Sequence, residues 1–137
     1  MRPDLTDFEG HWQLTREIEQ PGAPLARFDG VACFVAEGAG LAYREEGRLA
    51  MPGQAPVRAG RRYLWRAGGG GVIEVAFHDG GPFHRIDMAA PTPSDRHHCG
   101  RDVYDVAYDF AAWPVWAVRW RVTGPRKDYR IRSVYRR

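Results

Sequence analysis

Lysine, cysteine and long apolar segments are scarce in this chain. Its 137 residues include two cysteines and 20 basic residues, of which only Lys127 is a lysine. Two cysteines do not make a disulfide scaffold, and no apolar run approaches the roughly 20 residues that span a bilayer. The first residues, MRPDLTDFEG, lack the apolar segment of a secretory signal. These absences predict a cytoplasmic protein with no membrane partner.

The net charge is small although arginine is abundant. The formal net charge is +3, and acidic residues are interspersed with basic ones. Nucleic-acid binding usually requires a stronger charge clustered on one face, so we expect no nucleic-acid partner. The preference for arginine over lysine has two explanations that composition cannot separate. A GC-rich genome favours arginine, and a guanidinium group is also suited to bidentate binding of an anion.

Alternating apolar and polar residues predict β-strands along most of the chain. Hydrophobic residues make up 44% and aromatic residues 12% of the sequence, which fits one globular domain over residues 1–137. Gly- and Pro-rich turns separate the alternating segments, and no convincing amphipathic helix is present. The predicted strands are 8–18, 27–35, 41–49, 57–66, 72–78, 83–88, two strands within 97–110, 115–122 and 129–135.

Such a succession of strands predicts an all-β fold, either a sandwich or a barrel. We favour an antiparallel up-and-down β-barrel of about eight to ten strands, because closure removes the exposed edges of a long sheet. Small barrels of this kind can also hold one ligand.

The stretch 97–110, HHCGRDVYDVAYDF, holds the densest run of chemically able side chains. In a strand, Asp102, Tyr104 and Tyr108 share one face, and His97 and Cys99 also share a face. His97 and Cys99, with His84 on a neighbouring strand, carry atoms suited to zinc, but their spacing matches no standard zinc motif, and we predict no metal site. A Cys–His nucleophile pair is chemically possible too, although nothing marks a family of thiol enzymes.

A second group centres on Glu45, which shares a strand face with Leu41, Tyr43 and Leu49. A carboxylate among apolar side chains needs a partner, and we expect Arg62, Arg119 or a tyrosine hydroxyl. With Asp102 and several tyrosines, Glu45 either performs acid–base chemistry on a bound ligand or belongs to a buried network that fixes the register.

A third group is the basic turn 124–129, GPRKDY, which ends on Tyr129. At a barrel mouth this turn could hold a carboxylate or phosphate of a ligand. In the simpler alternative, Asp128 pairs with Arg126 or Lys127, as surface turns often do with little energetic consequence.

Two resemblances add to these predictions. Gly10-His11-Trp12, on the first strand after a capping turn, resembles the GxW signature of the lipocalin and calycin superfamily, formed here by Gly10 and Trp12. That resemblance implies that Trp12 closes one barrel end and is covered by an arginine of the last strand, Arg130 or Arg132, through a cation–π contact.

Over most of its length the chain also resembles an uncharacterised bacterial family, catalogued as domain of unknown function 6314. The stretches that carry the resemblance are FEGHW, YREEGRL, RRYLWR, PFH, HHCGRDVYDVAYDF and GPRKDY. Calycin relatives imply small-molecule binding inside the barrel. The nitrobindin-like branch holds haem through a histidine near the C-terminus, whereas the last histidine here is His98, so we expect no haem and no other cofactor.

The sequence therefore predicts a protein that binds a small apolar or aromatic ligand with an acidic group in its lumen. Two alternatives stay open, a haem or metal carrier and a barrel isomerase, lyase or hydrolase that uses His84, His97, Asp102 or Glu45. The oligomeric state is not predicted. The predicted ligand contacts are Tyr43, Glu45, Arg62, Tyr63, His84, His97, Cys99, Asp102, Tyr104, Tyr108, Arg119 and Tyr129.

Overall fold

Strands form wherever apolar and polar side chains alternate in the sequence. The computed structural model describes residues 2–137. A short 3₁₀ turn, Leu5–Phe8, is the only helix in that part of the chain, so no helix there is long and apolar enough to cross a membrane. The ten strands are β1 (Gly10–Glu19), β2 (Ala26–Glu37), β3 (Gly40–Ala50), β4 (Val57–Gly69), β5 (Val72–Phe77), β6 (Pro82–Asp87), β7 (Ser94–Cys99), β8 (Asp102–Asp109), β9 (Trp116–Thr123) and β10 (Asp128–Arg136).

Each strand except β6 pairs antiparallel with the strand that follows it, and β10 pairs with β1. The order across the sheet is β6-β5-β4-β3-β2-β1-β10-β9-β8-β7, which confirms the predicted up-and-down barrel. No backbone ladder joins β6 to β7 within residues 2–137, so the barrel is nearly closed, and we call this gap the seam. One side-chain hydrogen bond crosses the seam, from the Arg85 amide to Asp95 Oδ2 at 2.7 Å.

Glycine permits close contact between the paired strands β2 and β3. Gly30 on β2 is paired with Gly47 on β3. A Cβ atom on Gly30 would lie 2.2 Å from the Glu46 carbonyl oxygen, and one on Gly47 would lie 2.3 Å from that of Asp29. No side chain fits at either position, which is typical of strands that bend sharply to close a barrel.

Aromatic side chains fill one end of the barrel, which we call the closed end. The 3₁₀ turn places Phe8 over this end, where its ring contacts those of Phe34, Trp65 and Trp116 at centroid distances of 5.8, 5.2 and 5.3 Å. Trp12 Nε1 donates a hydrogen bond to the Phe8 carbonyl oxygen at 2.9 Å. Trp12 therefore holds the 3₁₀ turn against β1.

Trp12 is covered by an arginine, but the prediction of Arg130 or Arg132 is wrong. The Arg137 guanidinium lies 3.9 Å from the centre of the Trp12 ring, and it also donates to the Asp7 carbonyl oxygen. Arg130 and Arg132 are paired with Glu19 and Glu17, at the far end of β1 from Trp12. The antiparallel register sets this outcome, because the start of β1 meets the end of β10.

We predict that Arg137→Ala lowers the free energy of unfolding by about 1 kcal/mol, the magnitude of a partly exposed cation–π contact. Arg132→Ala is the matched control, because Arg132 is an exposed arginine on the outer face of β10, the strand that Arg137 follows, and it should change stability by less than about 0.5 kcal/mol. Urea unfolding followed by tryptophan fluorescence measures both. Equal effects of the two substitutions would contradict the assignment of Arg137.

Candidate functional site

A buried ion pair between β1 and β3 lies inside the barrel. Arg16 and Glu45 are 7% and 2% exposed, because both belong to the inward-facing series of their strands. Arg16 Nη1 and Nη2 donate to Glu45 Oε2 and Oε1 at 2.5 and 2.9 Å. Arg16 Nε donates to Ser133 Oγ on β10 at 2.7 Å. The guanidinium thus uses its fork geometry to connect three strands.

Two tyrosines complete the surroundings of this carboxylate. The Tyr43 hydroxyl donates to Glu45 Oε1 at 2.5 Å and lies 2.9 Å from the Tyr135 hydroxyl. Burial would raise the pKa of Glu45, but the hydrogen bond and charge of Arg16 hold it below its usual value. Burial raises the pKa of Tyr135 to about 12 and that of Tyr43 well above its usual value. Glu45 is therefore ionised and both phenols are protonated at neutral pH.

His84 on β6 forms a second buried pair, with Tyr108 on β8. Its Nε2 atom lies 2.7 Å from the Tyr108 hydroxyl. Burial lowers the pKa of His84 to about 4 and raises that of Tyr108 well above its usual value. His84 is consequently a neutral imidazole at pH 7 that is hydrogen-bonded to a protonated phenol.

Within residues 2–137, two buried nitrogen atoms of the lumen have no hydrogen-bond partner. They are His84 Nδ1 and Trp116 Nε1, and both residues line one cavity of about 40 Å³. Leaving such an atom unpaired costs about 1–3 kcal/mol. A cavity of this size admits a water or two, whereas small-molecule sites usually measure about 300–1,000 Å³. Side chains that line the cavity include Arg16, Tyr43, Glu45, Arg61, Tyr63, Phe83, Tyr108, Trp120, Ser133 and Tyr135.

Half-buried rings occupy the opposite, open end of the barrel. We call this group the mouth cluster, and its members are Tyr63, Phe77, Phe83, His97, Tyr104 and Trp120. Phe83 is at its centre, with ring centroids of Trp120, Phe77 and Tyr63 at 5.2, 4.4 and 5.6 Å. The His97 ring meets Phe83 edge-on at 5.2 Å. Contacting aromatic side chains therefore occupy the mouth.

The basic turn after β9 lies at the rim of this mouth. Lys127 Nζ lies 2.9 Å from Asp102 Oδ2 and donates to the Tyr104 hydroxyl at 3.0 Å. Asp128 pairs with Arg121 at 2.7 Å instead of the predicted Arg126 or Lys127. Burial raises the pKa of Tyr129. The charge of Lys127 is thus already balanced by Asp102.

The structure brings together most of the predicted contacts. Tyr43, Glu45, Tyr63, His84 and Tyr108 line the cavity. Four others lie half-buried at the open end, namely His97, Asp102, Tyr104 and Tyr129.

Three predicted contacts lie elsewhere. Arg62 and Arg119 are exposed on the outer face, because each neighbours an inward residue, Tyr63 or Val118, and strand side chains alternate. They are not the partners of Glu45. Cys99 is exposed at the end of β7. No group of three His, Cys, Asp or Glu side chains in the described chain is arranged to hold a metal ion.

The arginine inside the lumen was missed by sequence reasoning. Arg16 is two residues from Leu14 and from Ile18, so the alternation itself places it on the inner face with Trp12. Arg61, next to the predicted Arg62, has the same parity as Tyr63 and lines the cavity. Phe83 and Trp116 were also missed, since an isolated aromatic residue is usually core.

Comparisons with known proteins agree with the barrel and assign no activity. A sequence model described as a family of unknown function (DUF6314) matches residues 8–137, and no curated protein matches the chain. Among solved structures, the chain is similar to the S-type phycobiliprotein lyase CPES from Guillardia theta, with a TM-score of 0.68. The two are 10% identical, and the match covers 99% of this chain and 93% of the other. At that identity the likeness concerns the fold, and it confirms the predicted lipocalin-like barrel.

We predict that Glu45→Leu lowers the free energy of unfolding by about 3–5 kcal/mol, because it leaves the Arg16 charge buried without a partner. The double variant Arg16→Met, Glu45→Leu removes both charges and should recover most of the loss. Urea unfolding with circular dichroism measures both. A double variant as unstable as the single one would contradict an unpaired charge as the cause.

We also predict that stability falls in mild acid because of His84. Its folded-state pKa of about 4 lies below its ordinary value of 6.5, so the unfolded chain binds a proton more readily between these values. This contribution is fully present above pH 6.5 and is lost as pH falls towards 4. From pH 7 to pH 5 the loss should be about 2 kcal/mol.

His84→Gln, which does not titrate, should reduce this pH dependence by the same amount. Urea midpoints at the two pH values, measured for wild type and variant in the same buffers, test this prediction. An unchanged pH dependence in His84→Gln would show that His84 is protonated in the folded protein at pH 5.

Proposed function

The chain belongs to the DUF6314 family of unknown function, and we propose that it is a small-molecule-binding barrel whose lumen takes an apolar or aromatic ligand with an acidic group. The observation that carries this proposal is the pair of unpartnered nitrogens, His84 Nδ1 and Trp116 Nε1, in residues that line one lumen cavity. Buried polar atoms in folded proteins are nearly always hydrogen-bonded. A ligand that supplies polar atoms to this cavity removes that penalty.

The size of the cavity limits how such a ligand binds. About 40 Å³ accommodates a polar head of a ligand but not a ring system. The apolar part of the ligand therefore lies among the rings of the mouth cluster, which are only half-buried. Apolar walls with a few convergent polar groups are the usual composition of a ligand site.

We assign Arg61 as the residue that binds the acidic group of the ligand. Arg61 lines the cavity from β4 and is exposed towards the open end. Its guanidinium forms no ion pair within 4.0 Å in the described part of the chain, unlike Arg16 and Lys127. A free guanidinium at the mouth is suited to bidentate binding of a carboxylate.

The fold neighbour is named as a lyase, but this chain favours binding over catalysis. Glu45 is fully paired with Arg16 and Tyr43, and Asp102 is paired with Lys127. His84 has a pKa of about 4, which makes it a weak base at neutral pH. Analogy of fold alone does not carry over an activity. The cytoplasmic location stays a prediction.

The experiment uses 2-naphthoate, an apolar ring system with a carboxylate, as the probe. We predict that the protein binds one equivalent and that Val118→Phe weakens binding at least roughly tenfold, because the added ring fills the lumen cavity. Isothermal titration calorimetry and tryptophan fluorescence measure the affinity. Val31→Phe is the matched control, since Val31 is exposed on the outer face of β2 and should not affect binding.

Arg61→Gln tests the acidic group separately. It should weaken 2-naphthoate binding and leave the neutral 2-naphthamide unaffected. Equal affinity of Val118→Phe and wild type would place the probe outside the lumen and contradict the proposed function, as would the failure of wild type to bind the probe. Melting temperatures of all variants verify that a loss of binding is not a loss of folding.

A further inference from the structure

Phe83 has an irregular position in the strand that borders the seam. Val75 on β5 is paired with His84, whereas Ala76 is paired with Pro82, so Phe83 is an extra residue in β6. A bulge of this kind changes the direction of a side chain relative to regular alternation. As a result both Phe83 and its neighbour His84 line the lumen cavity.

The Phe83 ring is the middle member of an aromatic stack. It is parallel to Trp120 within 7° at 5.2 Å, and to Phe77 within 23° at 4.4 Å. Among the ring contacts of the described residues, none joins Phe77 to Trp120, so Phe83 separates them. Parallel rings at these distances are a favourable offset-stacked arrangement for any flat aromatic group.

Little of the backbone opposes a movement of Phe83. Its strand is an edge of the sheet, and the described residues form no ladder across the seam to β7. The bulge also leaves Phe83 without a partner residue on β5. The ring is half-buried, so the side chain can turn towards solvent without breaking the β5–β6 ladder.

We propose that the Phe83 ring occupies the position in which the ligand stacks. A flat aromatic ligand binds between Trp120 and Phe77 and displaces the Phe83 ring. This inference rests on the proposed function. The ligand ring then replaces both stacking contacts that Phe83 gives up. Its acidic group faces Arg61 and His84, which line the same cavity, and the His84 Nδ1 atom has no partner among the described residues. The ligand class is accordingly a planar, conjugated ring compound, and a flexible acyl chain does not match the stack.

This proposal predicts that Phe83→Ala binds 2-naphthoate at least roughly tenfold more tightly than wild type, because the ligand no longer has to displace a ring. Phe77→Ala is the comparison. It removes the same kind of ring from a half-buried position next to Phe83, but Phe77 is a wall of the proposed stack and does not line the cavity, so binding should weaken instead of tighten. Phe83→Leu, which retains apolar volume but no flat ring, should give a smaller gain and serves if the alanine variant folds poorly.

Two further measurements separate stacking from mere enlargement of the cavity. Adding Trp120→Leu to Phe83→Ala should abolish the gain for 2-naphthoate, since it removes one wall of the stack. Octanoate, a flexible carboxylate, should gain little from Phe83→Ala. An equal gain for octanoate, or a gain that survives Trp120→Leu, would overturn the stacking position.

The outcomes also distinguish this proposal from the broader function. Suppose that Phe83→Ala does not increase the affinity for 2-naphthoate while Val118→Phe still weakens binding. The lumen then binds the probe, but the Phe83 ring does not occupy the place where the ligand stacks. If Val118→Phe has no effect, the probe does not bind in the lumen and both proposals fail.

Discussion

The buried ion pair between Arg16 and Glu45 is the constraint on which the interior of the barrel depends. It connects β1 with β3, and Ser133, Tyr43 and Tyr135 extend it to β10. An ion pair in such surroundings is not strongly stabilising by itself, but losing either half is costly because the other charge stays buried. A shift of β1 by one residue would turn Arg16 outward and leave Glu45 alone. The pair therefore selects one register among those that hydrophobic alternation would tolerate.

The same network determines which chemistry the lumen can perform. Arg16 and Glu45 neutralise each other, the buried tyrosines stay protonated, and His84 is neutral. These groups can donate or accept hydrogen bonds, but they offer little proton transfer at neutral pH. The barrel of a named lyase is matched over nearly the whole chain at 10% identity, so the likeness concerns the fold and not the residues of the interior. In the proposed function the interior binds a ligand, and the mouth cluster controls access to it.

The seam between β6 and β7 explains how a nearly filled barrel could admit a ligand. Full closure would remove the last edges of the sheet. In this barrel the edge strand carries the bulge that directs Phe83 inward. In the proposed binding mode, access depends on the Phe83 side chain and requires no rearrangement of the β5–β6 ladder.

Alternation of apolar and polar residues was enough to predict the strands, the barrel and most of the lumen wall. Side chains alternate along a regular strand, so Trp12, Tyr43, Glu45 and Tyr108 were placed correctly from their neighbours alone. The roles of the arginines depend on the folded chain, because partners such as Arg137 over Trp12 and Arg16 beside Glu45 are set by the pairing of strands distant in sequence. The position of Phe83 also depends on the folded chain, because a bulge interrupts the alternation and leaves no distinct pattern in the residues. The alternation of side chains can be read from the residues of one strand. Register and bulges depend on how two strands pair, so they cannot be read from one strand alone.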